Sequence, residues 1–254
     1  MVRNLAAPLV IGATGGSGTR VVARVVRRAG NFMGIHLNAA EDSTEFFELY
    51  DRWINRFVLC GIAPLCLEEE GLLLRDFTAC IERHVSPMPM ESNPWGWKEP
   101  RSIYFLPFLD QHWPELKFIH VVRDGRDMAF SANQNQLRKH GPAVLRQELQ
   151  DAPQPVRSAL LWARINCEAA SYGEARMPDR YLRVRFENLC SDPVSTITEI
   201  LCFLGVENTR PDDQMLREVA PPESIGRWRK MADPSIMDSI YSVASGALQH
   251  FGYL

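Results

Sequence analysis

Three times along this chain an apolar run hands over to a segment of helical period. Leu9, Val10 and Ile11 lead into a loop holding Gly12, Gly15, Gly16 and Gly18. In residues 19–29 the apolar side chains Val21, Val22, Val25, Val26 and Ala29 return at helical spacing. That pattern predicts a strand, a tight loop and a helix. Lys117–Val122 reads as the second strand, and Asp124 is placed to cap a helix over residues 126–137. Residues 181–186 give a third strand, and a helix over 194–204 stops at Gly205.

Residues 39–84 carry Phe46, Phe47, Leu49, Trp53, Ile54, Phe57 and Val58 at steps of three and four, which predicts an irregular, mainly helical region. Prolines over residues 86–94 break it, and residues 95–98 read as a short extended segment stopped by Pro100. Further helices are expected over 101–112, 156–175 and 235–249, with 212–228 rich in loop. Residues 136–155 are polar and proline-bearing, and read as a mobile surface loop or lid. Strands alternating with helices predict an α/β fold whose parallel sheet is covered on both faces. At 254 residues without an internal repeat, one domain over 1–254 is expected, with a helical insertion at about 40–90.

Composition narrows the function classes. A net charge of −3, from 28 basic and 31 acidic residues, gives no bulk attraction to nucleic acid. Basic residues cluster at 20–28 and 227–230, which suits a small anion better than a polymer. Cys60, Cys66, Cys80, Cys167, Cys190 and Cys202 form no C-x-x-C pair and no metal-ligand spacing. They read as buried free thiols of a reducing compartment, and no metal is expected. No apolar run approaches the roughly 18 residues of a membrane span, and the first run is too short for a signal-peptide core. The expected location is the cytoplasm.

The first loop has the makings of an anion site. Its glycines let the backbone approach a ligand closely, Ser17 and Thr19 bring hydroxyls, and the helix that follows offers its N-terminus. It is not a Walker A loop: counted from Gly12, Ser17 stands where the second glycine belongs, and no lysine occurs between Arg3 and Lys98. Nor is it the dinucleotide fingerprint, because Val21 takes the place of the last glycine. A second candidate lies at the end of Lys117–Val122, where Arg123 offers a planar, permanently charged fork and Ser131 a hydroxyl about two helical turns on.

The order of these motifs resembles the sulfotransferase family: a glycine loop after the first strand, R-D-x-R-D-x-x-x-S after a later one, YLRVRFENL, and a late GRWRK. The likeness runs from Leu9 to about Lys230 and is weakest over 38–90. It implies a P-loop NTPase-like three-layer fold, with a central parallel sheet flanked by helices. It also implies transfer of a sulfuryl group from 3′-phosphoadenosine-5′-phosphosulfate (PAPS) to an acceptor hydroxyl, with 3′-phosphoadenosine-5′-phosphate (PAP) as the product. By the same resemblance, Gly15, Gly16, Ser17, Gly18, Thr19 and Arg20 cradle the 5′-phosphosulfate, and Arg123 with Ser131 binds the 3′-phosphate. Arg227, Trp228, Arg229 and Lys230 would close over the nucleotide, Phe186 would lie near the adenine, and Lys98 near the sulfuryl group.

One position departs from the family pattern. Where members commonly carry a lysine just before the S-G-T of the first loop, this chain has Gly16. Lys98, or failing that Arg20, must then supply the positive charge at the leaving group. Candidates for the base that takes the acceptor's proton follow the first helix: His36, Glu41, Asp42 and Glu45, with Asp42 and Glu45 favoured by the resemblance. His120, inside a strand, reads as a core histidine, and Trp53, Trp95, Trp97 and Trp162 as core packing. The expected partner is a small-molecule or glycan acceptor. A P-loop-like kinase or nucleotide hydrolase, or a non-catalytic nucleotide-binding relative, are the alternatives.

Overall fold

A computed structural model describes residues 5–58, 65–89, 94–207, 210–231 and 233–254. Its strands are β1 (Leu9–Ala13), β2 (Gly96–Lys98), β3 (Lys117–Val122) and β4 (Tyr181–Arg185), all parallel, in the order β2-β1-β3-β4. Between β1 and β2 lie α1 (Thr19–Arg28), α2 (Phe47–Val58) and α3 (Leu67–Val85). A 3-10 turn, Pro100–Phe105, then runs into α4 (Leu106–His112). Between β3 and β4 come α5 (Gly125–Ala129), α6 (Asn135–Leu145) and α7 (Gln154–Arg176). After β4 follow α8 (Phe186–Ser191), α9 (Pro193–Leu204), α10 (Asp213–Arg217), α11 (Trp228–Met231) and α12 (Pro234–His250).

The apolar runs form the middle of the sheet, and both of its faces are covered. Every residue of β1 is buried. Val10 and Phe118 face a core built with α2, α3 and the 3-10 turn, whereas Ile11, Ala13, Ile119 and Val121 face one built with α1 and α9. This is the predicted three-layer α/β arrangement. Trp53, Trp95, Trp97 and Trp162 are all buried, as expected of core residues.

Three sequence expectations need correction. The helix predicted over 126–137 is two helices: the Gln134 amide donates to the carbonyls of Met128 (3.1 Å) and Ser131 (2.7 Å), holding the chain in a break after α5. Ser131 therefore sits in that break and not two turns into a helix. The first half of the loop expected over 136–155 is α6, with Leu137, Gly141 and Leu145 buried at helical spacing behind a polar surface that masked the period, and residues 146–153 are turns and loop. The cysteines are not uniformly buried: Cys66 and Cys202 are exposed, and Cys60 lies outside the described residues, as does part of the 86–94 proline segment.

Gly12 is a point of close packing in the sheet. A Cβ built there would stand 2.5 Å from Phe118 Cζ and 2.9 Å from the backbone nitrogen of Ile103. The 3-10 turn can therefore lie directly on β1 only because this residue has no side chain. We expect Gly12→Ala to lower unfolding stability by about 1–3 kcal/mol, the usual cost of overpacking, in denaturant titration. An unchanged midpoint would contradict this contact.

Candidate functional site

Sheet order places the site. From β1 the chain crosses to β2 on one side, and from β3 to β4 on the other, so a crevice opens at the carboxyl ends of β1 and β3. A cleft of about 620 Å³ occupies it.

The glycine loop forms its floor. Gly16 and Gly18 both take φ near +85°, where a side chain would be strained. A Cβ at Gly18 would also stand 2.2 Å from the ring of Phe186, so that ring lies directly on the loop. Ser17 Oγ donates to the Thr14 carbonyl at 2.6 Å, so its hydroxyl closes the loop, and Ser17 is not among the residues that line the cleft. Helix α1 has no side-chain cap and no acidic residue in its first turn. Its first N–H groups, near Gly18 and Thr19 on the cleft wall, thus keep the partial positive charge that attracts an anion.

The arginine motif after β3 distributes its residues over two tasks. Arg123 enters the cleft: Nη2 donates to Ser224 Oγ (2.9 Å), Nη1 to the Gly16 carbonyl (3.4 Å), and the guanidinium lies 5.4 Å over Phe186. Its Nε is buried with no hydrogen-bond partner. Asp124 caps α5 and pairs with Arg126 at 2.8 Å, while Arg126 stacks on Trp228. Asp127 is buried and accepts from the backbone of Gly226 (2.7 Å) and Trp228 (3.3 Å), tying the C-terminal segment to α5. Ser131 Oγ, which accepts from Asn133 N at 3.2 Å, lies 3.9 Å from where a Cβ on Gly16 would stand. Arg123 and Ser131 thus meet the same glycine from β3 and from the break after α5.

The late basic segment is arranged otherwise than expected. Arg227, Trp228, Arg229 and Lys230 do not line the cleft; Ala220, Pro222 and Ser224 do. Trp228 lies between the guanidiniums of Arg126 and Arg229. The basic cluster at 20–28 is mostly neutralised: Arg24 and Arg27 pair with Glu41, Arg24 also with Glu218, and Arg28 with Asp212. Glu41 is therefore spent on structure, and Arg20 is the member of the cluster that lines the cleft.

Lys98 is buried below that surface, its Nζ held by Asp42 Oδ1 at 2.5 Å and the Ala40 carbonyl at 2.6 Å. Burial pushes its pKa below the ordinary value, with the Asp42 carboxylate opposing the shift. Of the base candidates, Asp42 alone lines the cleft. Glu45 lies elsewhere, facing His36 at 2.9 Å and His84 at 3.5 Å. Burial would raise its pKa, but contacts with His84 and His36 outweigh this and hold it below the ordinary value.

His120 is the core residue its strand position suggested. Its Nε2 meets Asn166 Oδ1 at 2.8 Å, its Nδ1 meets the Tyr181 hydroxyl at 2.6 Å, and burial pushes it down to about pKa 4, so it is neutral. Asn166 in turn donates to Thr14 Oγ1 at 3.3 Å, bracing the start of the glycine loop.

Sequence reasoning missed one wall of the cleft: Phe47, Glu99, Arg101, Asn135, Arg138 and Lys139. Glu99 is fully buried, and burial pushes its pKa up to about 7 against the pull of Arg101. Its neighbour Lys98 was the only available signal. Because this folded pKa lies above the ordinary one, the fold holds a proton that the unfolded chain releases. Stability from this group is present below about pH 4.5 and is lost as the pH rises toward about 7. We expect Glu99→Gln to flatten that fall in stability; parallel curves for variant and parent would contradict the assignment.

The family model for the sulfotransferase family matches residues 11–211. Among solved structures, a sulfotransferase from Alicyclobacillus acidocaldarius superposes with a TM-score of 0.52 at 15% identity, over 96% of this chain and 97% of that one. The sulfotransferase domain of the Synechococcus PCC 7002 olefin synthase gives 0.50 at 18% identity, over 94% and 93%. A mouse sulfotransferase complexed with PAP gives 0.50 at 12% identity, over 94% and 84%. No curated protein matches the sequence. Among the described residues, no group of three or more His, Cys, Asp or Glu is placed to hold a metal ion, and no helix is long and apolar enough to cross a membrane. These solved structures share the P-loop-like fold described above, and with the family match running from Ile11 past α9, this chain belongs to the sulfotransferase family.

Proposed function

We propose that the cleft binds PAPS and passes its sulfuryl group in line to a hydroxyl of a carbohydrate, glycolipid or small metabolite. The single observation behind this assignment is that the uncapped start of α1 and the Arg123 guanidinium line one cleft from adjacent strands. A nucleotide carrying phosphates at two positions needs two such sites. That a mouse sulfotransferase of this fold was solved with PAP supports the choice of donor. In this assignment the N–H groups of the loop and of α1 take the 5′-phosphosulfate. Arg123, with its unpartnered Nε, takes the 3′-phosphate together with Ser131.

Sulfuryl transfer asks a protein for positioning and charge stabilisation, since the group moves between two oxygens without bonding to the enzyme. With Gly16 in the loop, the cation that meets the leaving oxygen is Arg20, which is exposed on the cleft wall. Asp42 takes the acceptor's proton. Lys98 then acts from below: once Asp42 is protonated, the Lys98 ammonium at 2.5 Å is no longer neutralised and its field reaches the departing phosphate.

In a thermal-shift assay without added metal, PAP should stabilise the protein well beyond ADP, and Arg123→Ala should erase most of that advantage. Loss of a charge-assisted contact of about 1.5–3 kcal/mol corresponds to roughly 10–100-fold in affinity. Equal losses for PAP and ADP would remove Arg123 from the 3′-phosphate. Asp42→Asn should keep PAP affinity and lower kcat roughly 10²–10⁴-fold in transfer from labelled donor. An unimpaired variant would exclude Asp42 as the base. A parent protein that binds PAP and sulfates no acceptor would favour the non-catalytic relative.

A further inference from the structure

The half of the cleft away from Arg123 is walled by the start of α2, the turn after β2, and the first turns of α6. A ladder of alternating charge ties these elements together. Arg101 is held by Glu99 through Nε at 2.7 Å and by Asp51, and Asp51 accepts from Lys139 Nζ at 2.7 Å through both oxygens. Arg101 also lies 5.4 Å over the ring of Phe47, the large apolar surface on this wall. The positions of these groups are thereby fixed by the fold before any acceptor arrives.

Arg138, beside Lys139 on α6, is not neutralised by the ladder. It is exposed, lines the cleft, and donates to Asn135 Oδ1 at 2.8 Å, a neutral amide that leaves its charge uncompensated. Around it stand three cations, Arg101, Arg138 and Lys139, against two carboxyls, Glu99 and Asp51, so this half is positive by one when both carboxyls are ionised. An unpaired guanidinium on the wall of a polar cleft favours a planar anion able to accept two of its hydrogen bonds.

We infer that this half of the cleft selects acceptors bearing a carboxylate or sulfate ester close to the hydroxyl that is sulfated, with Arg138 as the cation that determines that preference. The inference rests on the sulfuryl-transfer function proposed above. Phe47 gives the acceptor's carbon skeleton a flat surface, and Asn135 can turn its amide to the same anion.

Matched acceptors that differ in one group provide the test. With PAP-saturated protein, calorimetry would compare 4-nitrophenyl β-glucuronide with 4-nitrophenyl β-glucoside, and transfer from labelled PAPS would be followed for both. We expect the glucuronide to be favoured about tenfold or more, mainly through KM. Arg138→Gln should abolish that preference, Arg138→Lys should recover part of it, and both variants should melt with the parent. Equal binding of the two glycosides, preference for the glucoside, or binding of neither would overturn the inference while PAP binding leaves the donor assignment standing. Failure of PAP itself to bind would bring down both.

Discussion

The ring of Phe186 fixes the geometry on which everything else depends. It leaves no room for a Cβ at Gly18, and the Arg123 guanidinium lies 5.4 Å over it. One side chain, from the first turn after β4, thus sets both the start of α1 and the position of the arginine that follows β3. Had Gly18 carried a side chain, the ring, the loop and the arginine could not share this space. The loop's left-handed backbone at Gly16 and Gly18 is a conformation that glycine adopts without strain.

Around that contact, charge is placed sparingly. The arginines on the outer face of α1 are consumed by Glu41, Glu218 and Asp212, which leaves Arg20 facing the cleft. Lys98 is buried beneath Asp42, and Trp228 is pinned between two guanidiniums outside the cleft. Asp127 holds the C-terminal segment by its backbone, so that segment presents Ser224 to Arg123 and turns its basic side chains away. The cations that line the cleft are thereby Arg20 and Arg123, beside the glycine loop, with Arg101, Arg138 and Lys139 from the turn after β2 and from α6.

The fold was legible where local periodicity and burial agree. β1 and β3 are largely apolar and almost wholly buried because both faces of the sheet are covered, and the site opens where β1 runs into the glycine loop and β3 into Arg123. It was illegible where a side chain acts across the chain. Gln134 breaks a helix by bonding backward to Met128 and Ser131, and nothing in periodicity announces that. The polar surface of α6 hid Leu137 and Leu145 and with them the far wall of the cleft. In the site, Arg123 and the glycine loop were legible because their chemistry is local to strand ends. The partner of each charge was not: Lys98 with Asp42, Arg101 with Asp51, and Glu45 with two histidines are pairings between separate segments.

A crystal structure of the protein with PAP tests the central claim most directly. The 5′-phosphate should lie on the backbone N–H groups of the loop after β1, with the 3′-phosphate on the guanidinium of Arg123 and beside Phe186. PAP bound away from the glycine loop, or held with Arg123 turned from its 3′-phosphate, would contradict it.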